Sequence, residues 1–245
     1  MISEFGRYFI FLGQLFVNRE RFKTYYKLVL DECVTIGIGS LFLVALVSTF
    51  MGAVTTVQTA FNMVSDFIPK YVISQVVREM IVLELAPTII AIIFAGKVGS
   101  AMASGLGTMR ITEQIDALEV MGINSISYLV LPKVLASLLM YPLLVIIAGV
   151  CGMLGGYLAG TLTGIITPDD YIYGLRSSYN PFTVTFALIK SVVFAFLVSS
   201  ISSYKGYNTQ GGALEVGISS TQAVTSSVIA LLIADYLLAQ LLLAK

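Results

Sequence analysis

Apolar residues in this chain come in long unbroken runs, not in the short alternations of a soluble core, and five of the runs are long enough to cross a bilayer. A hydrocarbon layer about 30 Å thick takes roughly 20 helical residues. The first run is uncharged from Cys33 to Ser65, and the second, Met80 to Gly96, carries Glu84 and Pro87. The third is uncharged from Val134 to Pro168, the fourth runs from Ser177 to Tyr204 around Lys190, and the fifth from Val216 to Ala244 around Asp235. Lipid offers backbone N–H and C=O groups no water, so helices are the economical solution. The pattern predicts an all-α integral membrane protein with spans near 34–62, 80–101, 134–162, 180–204 and 217–243. No long polar linker interrupts them, which reads as one domain over 1–245.

Region 1–30 has a different period. Ile2, Phe5, Phe9, Leu12 and Phe16 recur at spacings of three and four, with Glu4, Arg7, Gln14 and Asn18 opposite. This describes an amphipathic helix, lying in the membrane surface or packed on a partner subunit. Asn18-Arg19-Glu20-Arg21 follows without a small-residue cleavage pattern, unlike a signal peptide. Basic residues cluster in this region (Arg7, Arg19, Arg21, Lys23, Lys27), in the second loop (Lys97, Arg110, Lys133) and in the fourth (Lys205). The other side has only Lys70, Arg78, Arg176 and Lys245. The positive-inside rule then places the N-terminus in the cytoplasm and, after five crossings, the C-terminus outside it.

Two shorter patterns stand out. Between the second and third spans, residues 107–122 read as a short amphipathic helix stopped by Gly122, with Ile111, Ile115, Leu118 and Met121 on its apolar side and Glu113, Asp116 and Glu119 exposed. It is either a docking element for a soluble subunit or an ordinary surface helix. In the third span Gly152, Gly156, Gly160 and Gly164 form a smooth ridge suited to close helix contact, within this chain or with a second copy.

Composition narrows the function. With 57% hydrophobic and 11% charged residues and a mean hydropathy of +0.91, a soluble domain is excluded. Fourteen basic and fourteen acidic residues cancel, so no positive field argues for nucleic acid. The chain has no histidine, which removes Ser-His and Cys-His catalysis and histidine-ligated metals. Cys33 and Cys151 sit in apolar surroundings and form no metal or redox motif. Gly96-Lys97 lacks the glycine that a phosphate loop needs, so ATP hydrolysis has no site here. No catalytic residue, metal or bound cofactor is expected.

Ionisable groups within spans are costly and normally face protein or water. Glu84, Lys190 and Asp235 are three such groups, forming either a polar patch with a functional role or a structural ion pair. Thr55, Gln58, Thr59 and Asn62 share one helical face at the end of the first span, suited to a head group or to interhelical hydrogen bonds.

At the second loop the chain resembles the MlaE-type permeases of ABC transporters, which move phospholipids between the membranes of Gram-negative bacteria. The resemblance is carried by Glu84-Leu-Ala-Pro87, Ala95-Gly-Lys-Val-Gly-Ser-Ala101, the run from Gly107 to Gly122, and Tyr128-Leu-Val-Leu-Pro-Lys-Val-Leu-Ala136. Ala86 stands where the family usually has glycine. The resemblance implies the MlaE permease fold and a homodimer in the bacterial inner membrane. It also implies a cytoplasmic MlaF-like ATPase holding ATP and magnesium, and a periplasmic MlaD-like protein with an MCE domain. Residues 107–122, including Thr108, Arg110, Glu113, Asp116, Glu119 and Gly122, then form the coupling helix. Thr55, Gln58, Thr59, Asn62 and Glu84 are expected in the lipid cavity. The alternatives are a secondary transporter using Glu84, Lys190 and Asp235 as a relay, and an intramembrane protease. The first lacks a visible inverted repeat, and the second lacks a glycine-flanked aspartate motif.

Overall fold

The computed structural model describes residues 2–15, 22–63 and 69–243, and among these every regular element is helical. Five helices are long and apolar enough to cross a membrane: Tyr25–Asn62, Tyr71–Ile111, Ser125–Leu162, Pro181–Tyr207 and the fifth, Ala213–Leu243. They are called the first to fifth spans below. The first three extend well past their apolar runs, because Lys, Arg and Glu are good helix formers and a charge ends a hydrophobic run without ending a helix. Arg78, Arg110, Lys133 and Lys205, read from the sequence as loop residues, all lie in helices. The expectations that fall on Phe16–Arg21, Ser65 and 244–245, and on the side chains of Ile2, Glu4, Phe5 and Lys23, lie outside the described residues.

The chain groups into two compact units, one made of Met1–Gly39, Ala91–Tyr141 and Val192–Lys245, the other of Ser40–Ile90 and Pro142–Ser191. Four spans contribute residues to both units, so no linker in the sequence could mark the division.

In the first unit the N-terminal helix, Ile2–Gln14, packs through Phe11, and the turn after it through Leu15, onto Tyr25, Leu106, Ile126 and Val130. Phe9, on the apolar side of the sequence pattern, is exposed with Ile10, as an apolar face turned to the membrane surface would be. Phe11 meets two rings of the fourth span, Tyr204 and Tyr207, with centroids 5.5 and 5.6 Å away. Lys133 pairs with Glu32, and the Tyr25 and Ser127 hydroxyls lie 2.6 Å apart.

The predicted coupling helix is divided. Gly107–Ile111 continues the second span, the chain turns at Thr112 and Glu113, and a separate loop helix covers only Gln114–Val120. Glu113 takes a left-handed conformation at φ 60°. Gly122, at φ 76°, ends the loop helix in a Schellman motif: its N–H donates to Glu119 O, and that of Ile123 donates to Leu118 O.

In the second unit the first and third spans touch backbone to backbone. Ser40, Val44, Ser48, Gly52 and Thr56 form the buried stripe of the first span. A Cβ on Gly52 would lie 1.8 Å from Gly152 O, and one on Gly155 would lie 1.9 Å from Thr49 O. Gly156 and Gly160 face Thr56 in the same seam, so the ridge packs within the chain. Gly164 does not belong to it. At φ 70° it is the helix stop, its N–H donating to Thr161 O and that of Ile165 to Gly160 O.

A connecting helix absent from the sequence reading, Pro168–Arg176, follows. Its signature is local: Thr167 caps it by accepting from Asp170 N, Pro168 occupies the first turn, and Asp169 and Asp170 meet the positive end of the dipole. Arg78, buried in the second span, closes its other end by donating to Leu175 O and Ser177 O, both at 2.8 Å, and to Ser178 O at 3.3 Å. Burial pushes the phenol of Tyr171 up to about 12, and its hydroxyl donates to Met153 O.

Gly52→Ala should lower the unfolding free energy in detergent by about 3 kcal/mol, because backbone on both sides must move. Gly149→Ala, which meets nothing within 4 Å, should be neutral or stabilise by up to about 1 kcal/mol. Thermal melts of the two variants make the comparison.

Candidate functional site

The first span has two faces with different tasks. Turning away from the seam, with Thr59 at its edge, Thr55, Gln58, Thr59 and Asn62 line a cavity of about 380 Å³ closed by Val76, Met80 and Leu85 of the second span. Thr55 and Leu85 also border an apolar groove of about 430 Å³, lined by Leu46, Phe50, Val54 and Ile89 among others. The two are therefore contiguous, apolar toward Leu46 and polar toward Asn62. Thr55 Oγ1 donates back to Met51 O at 2.7 Å, as threonines in helices do. Gln58 and Asn62 are exposed, and among the described residues their amides have no hydrogen-bond partner, so they are the open polar groups of this face.

Glu84 was expected in the same cavity but lines neither part of it. Its neighbour Leu85 does, and successive side chains on a helix diverge by roughly 100°. The carboxylate is held instead by Lys190 of the fourth span, whose Nζ lies 2.8 Å from Oε2. Lys190 has no solvent exposure, whereas the Glu84 side chain is 48% exposed. Thr88 Oγ1 donates to the same oxygen at 3.3 Å.

This pair stands in an irregular stretch. Ile81–Ile89 is π-helical, with Pro87 inside it. Proline has no N–H to offer the helix, and Lys190 Nζ also donates to the Leu83 carbonyl at 3.1 Å. One ammonium thus serves a carboxylate and a backbone carbonyl of the same irregular stretch. Both ends of the arrangement, Pro87 and Lys190, are visible in the sequence; the link between spans is not. Asp235, grouped with Glu84 and Lys190 from the sequence, stands half-buried on the fifth span, in the other unit.

Around the loop helix the predicted residues divide by role. Arg110 Nη1 pairs with Asp116 Oδ1 at 2.6 Å. Thr108 Oγ1 donates to Ser104 O within the second span. Glu119 Oε1 accepts from the Tyr207 hydroxyl and from Ser125 Oγ, both at 2.9 Å. Glu113 is exposed at the turn and Ile115 is fully buried beneath the helix. The open surface carries Glu113, Gln114, Asp116 and Glu119 and, at the end of the helix, two large apolar side chains: Val120 is 89% exposed and Met121 65%. The sequence reading put Met121 on the helix's apolar side and gave Val120 no role; both stand at the end of the loop helix, Val120 as its last residue and Met121 as its cap.

A family model described as Permease MlaE matches residues 29–241. The chain is similar to a probable ABC transporter permease protein of Rickettsia bellii (strain RML369-C), 36% identical over 241 residues covering 98% of this chain and 93% of the relative. A probable ABC transporter permease protein of Synechocystis sp. is 33% identical over 237 residues, 96% of this chain and 89% of the relative. The chloroplastic protein TRIGALACTOSYLDIACYLGLYCEROL 1 of Arabidopsis thaliana is 34% identical over 233 residues, 94% of this chain and 65% of the relative. With a membrane bundle of five spans and a match over most of its length, the chain belongs to the MlaE permease family of ABC transporters.

Proposed function

We propose that this permease moves phospholipids between the inner and outer membranes of a bacterium, maintaining lipid asymmetry, and that a separate cytoplasmic ATPase supplies the energy. The observation that carries the reading is the contiguous groove along the first span, whose apolar part suits acyl chains and whose Gln58 and Asn62 end suits a head group. A relative named for a galactosyl diacylglycerol agrees with a lipid cargo. Glu84, half exposed beside this groove, adds an anionic group for a cationic head-group moiety.

In this reading the chain lies in the inner membrane with its N-terminus cytoplasmic and its C-terminus periplasmic, as the distribution of basic residues favours. It is non-catalytic and binds no cofactor; ATP and magnesium belong to the motor. The ATPase seats on the loop helix, where exposed Val120 and Met121 supply an apolar anchor. Two copies pair along the fifth span, whose exposed surface includes Gly217, Thr221, Gln222 and Thr225, residues poorly suited to lipid and well suited to a second helix. An MCE-domain protein receives or delivers the lipid on the periplasmic side. Membership of an ABC permease family argues against the ion-driven carrier and the protease.

The complex in proteoliposomes should transfer labelled phospholipid only with ATP, and Gln58→Leu with Asn62→Leu should slow that transfer by on the order of tenfold, the loss of about 1.4 kcal/mol of head-group binding. ATP-independent transfer, or none, would overturn the reading. Val120→Asp or Met121→Asp should abolish co-purification of the ATPase while leaving the permease folded. For the ion pair, Glu84→Gln should cost about 2 kcal/mol of stability, and adding Lys190→Met should recover most of it by removing the buried charge; a double-mutant melting series measures the coupling.

A further inference from the structure

The loop helix has seven residues, too few to hold its own shape or position, since isolated helices shorter than about 12 residues are marginal in water. Its placement is therefore decided by what it is tied to. Ile115 plugs it into the interior, and two carboxylates tie it to different spans. Asp116 is bound by Arg110, in the last turn of the second span. Glu119 accepts from Ser125, the first residue of the third span, and from Tyr207, the last of the fourth.

These three side chains form a closed triangle, because the Ser125 and Tyr207 hydroxyl oxygens also lie 2.8 Å apart. Two hydroxyl protons cannot fill three oxygen-oxygen contacts at once, so one contact of the triangle always lacks a proton, and with both hydroxyls turned to Glu119 it is the one between Ser125 and Tyr207. The Arg110 guanidinium lies 5.8 Å from the centre of the Tyr207 ring, closing the circuit between both carboxylates. Glu119, Ser125 and Tyr207 also line an open cavity of about 420 Å³. The contact is thus reachable by water and can break and reform without emptying a packed core.

We infer that Tyr207, with Ser125, is the joint through which displacement of the loop helix reaches the fourth span, with Glu119 as its acceptor. The inference rests on the reading of the loop helix as the motor's seat. Tyr207 is a positioning residue: it touches neither cargo nor nucleotide. It turns a movement of Glu119 into a movement of the last turn of the span that carries Lys190.

The test uses the whole transporter with its ATPase and MCE protein. Tyr207→Phe keeps the ring that packs on Phe11 and removes only the hydroxyl, so folding is retained; Ser125→Ala removes the second hydroxyl. Tyr207→Phe should leave ATPase co-purification complete and hydrolysis within about twofold of the unsubstituted complex, while lipid moved per ATP falls at least fivefold, roughly 1 kcal/mol of coupling. In parallel, amide exchange over 200–208 should respond to a non-hydrolysable ATP analogue in the unsubstituted complex and cease to respond in Tyr207→Phe. An unchanged ratio together with an unchanged exchange response would overturn the joint. Loss of the ATPase from Tyr207→Phe would overturn it too, by making the residue part of the seat. If the unsubstituted complex moves no lipid, the proposed function falls, and the exchange experiment alone decides the linkage.

Discussion

Between the first and third spans, the carbonyl oxygens of Thr49 and Gly152 stand where the side chains of Gly155 and Gly52 would have to go. Inside a bilayer, lipid tails are as apolar as leucine, so burial gives two helices little reason to associate, and close packing must supply it. The seam does so by having no side chains at its tightest points. Because it fixes which stripe of the first span is buried, it also fixes which stripe is not. Thr55, Gln58 and Asn62 face away from it and open the groove toward the second span. Filling the seam would rotate that face as well as destabilise the contact.

Cations in the spans share a second logic. Arg78 donates to the three carbonyls at the end of the connecting helix, Lys190 to the Leu83 carbonyl in the π-helical stretch around Pro87, and Lys97 to Gly39 O. Each meets a backbone carbonyl where a helix ends or changes its winding. An unsatisfied carbonyl in hydrocarbon costs several kcal/mol, so these cations are structural before they are anything else. Lys190 goes further, because its second partner is a carboxylate that remains half open to the surroundings.

Much of this was legible in the sequence. Five spans followed from run length, the glycine ridge from its four-residue spacing, and the polar face of the first span from the positions of Thr55, Gln58, Thr59 and Asn62. What stayed hidden depended on contacts between distant segments or on backbone winding. Hydropathy ended the second span at Arg78 and Glu79, where the helix continues: Arg78 is buried against carbonyls of the connecting helix and Glu79, exposed, pairs with it. Periodicity carried the loop helix through Thr112 and Glu113, since nothing in the letters marks Glu113 as left-handed. Gly164 fitted the ridge by spacing and turned out to be a stop, a role glycine can take at the same interval. The connecting helix could have been found from Thr167-Pro-Asp-Asp170 alone.

The third span has 38 residues, a rod about 57 Å long in a hydrocarbon layer of about 30 Å. Lying entirely within that layer would need a tilt near 60°, beyond the roughly 40° that spans reach. It must therefore protrude, and a protruding helix has no single preferred depth set by its length. The end that can stand clear is Ser125–Lys133, since from Val134 onward the helix carries no charge to hold it in water.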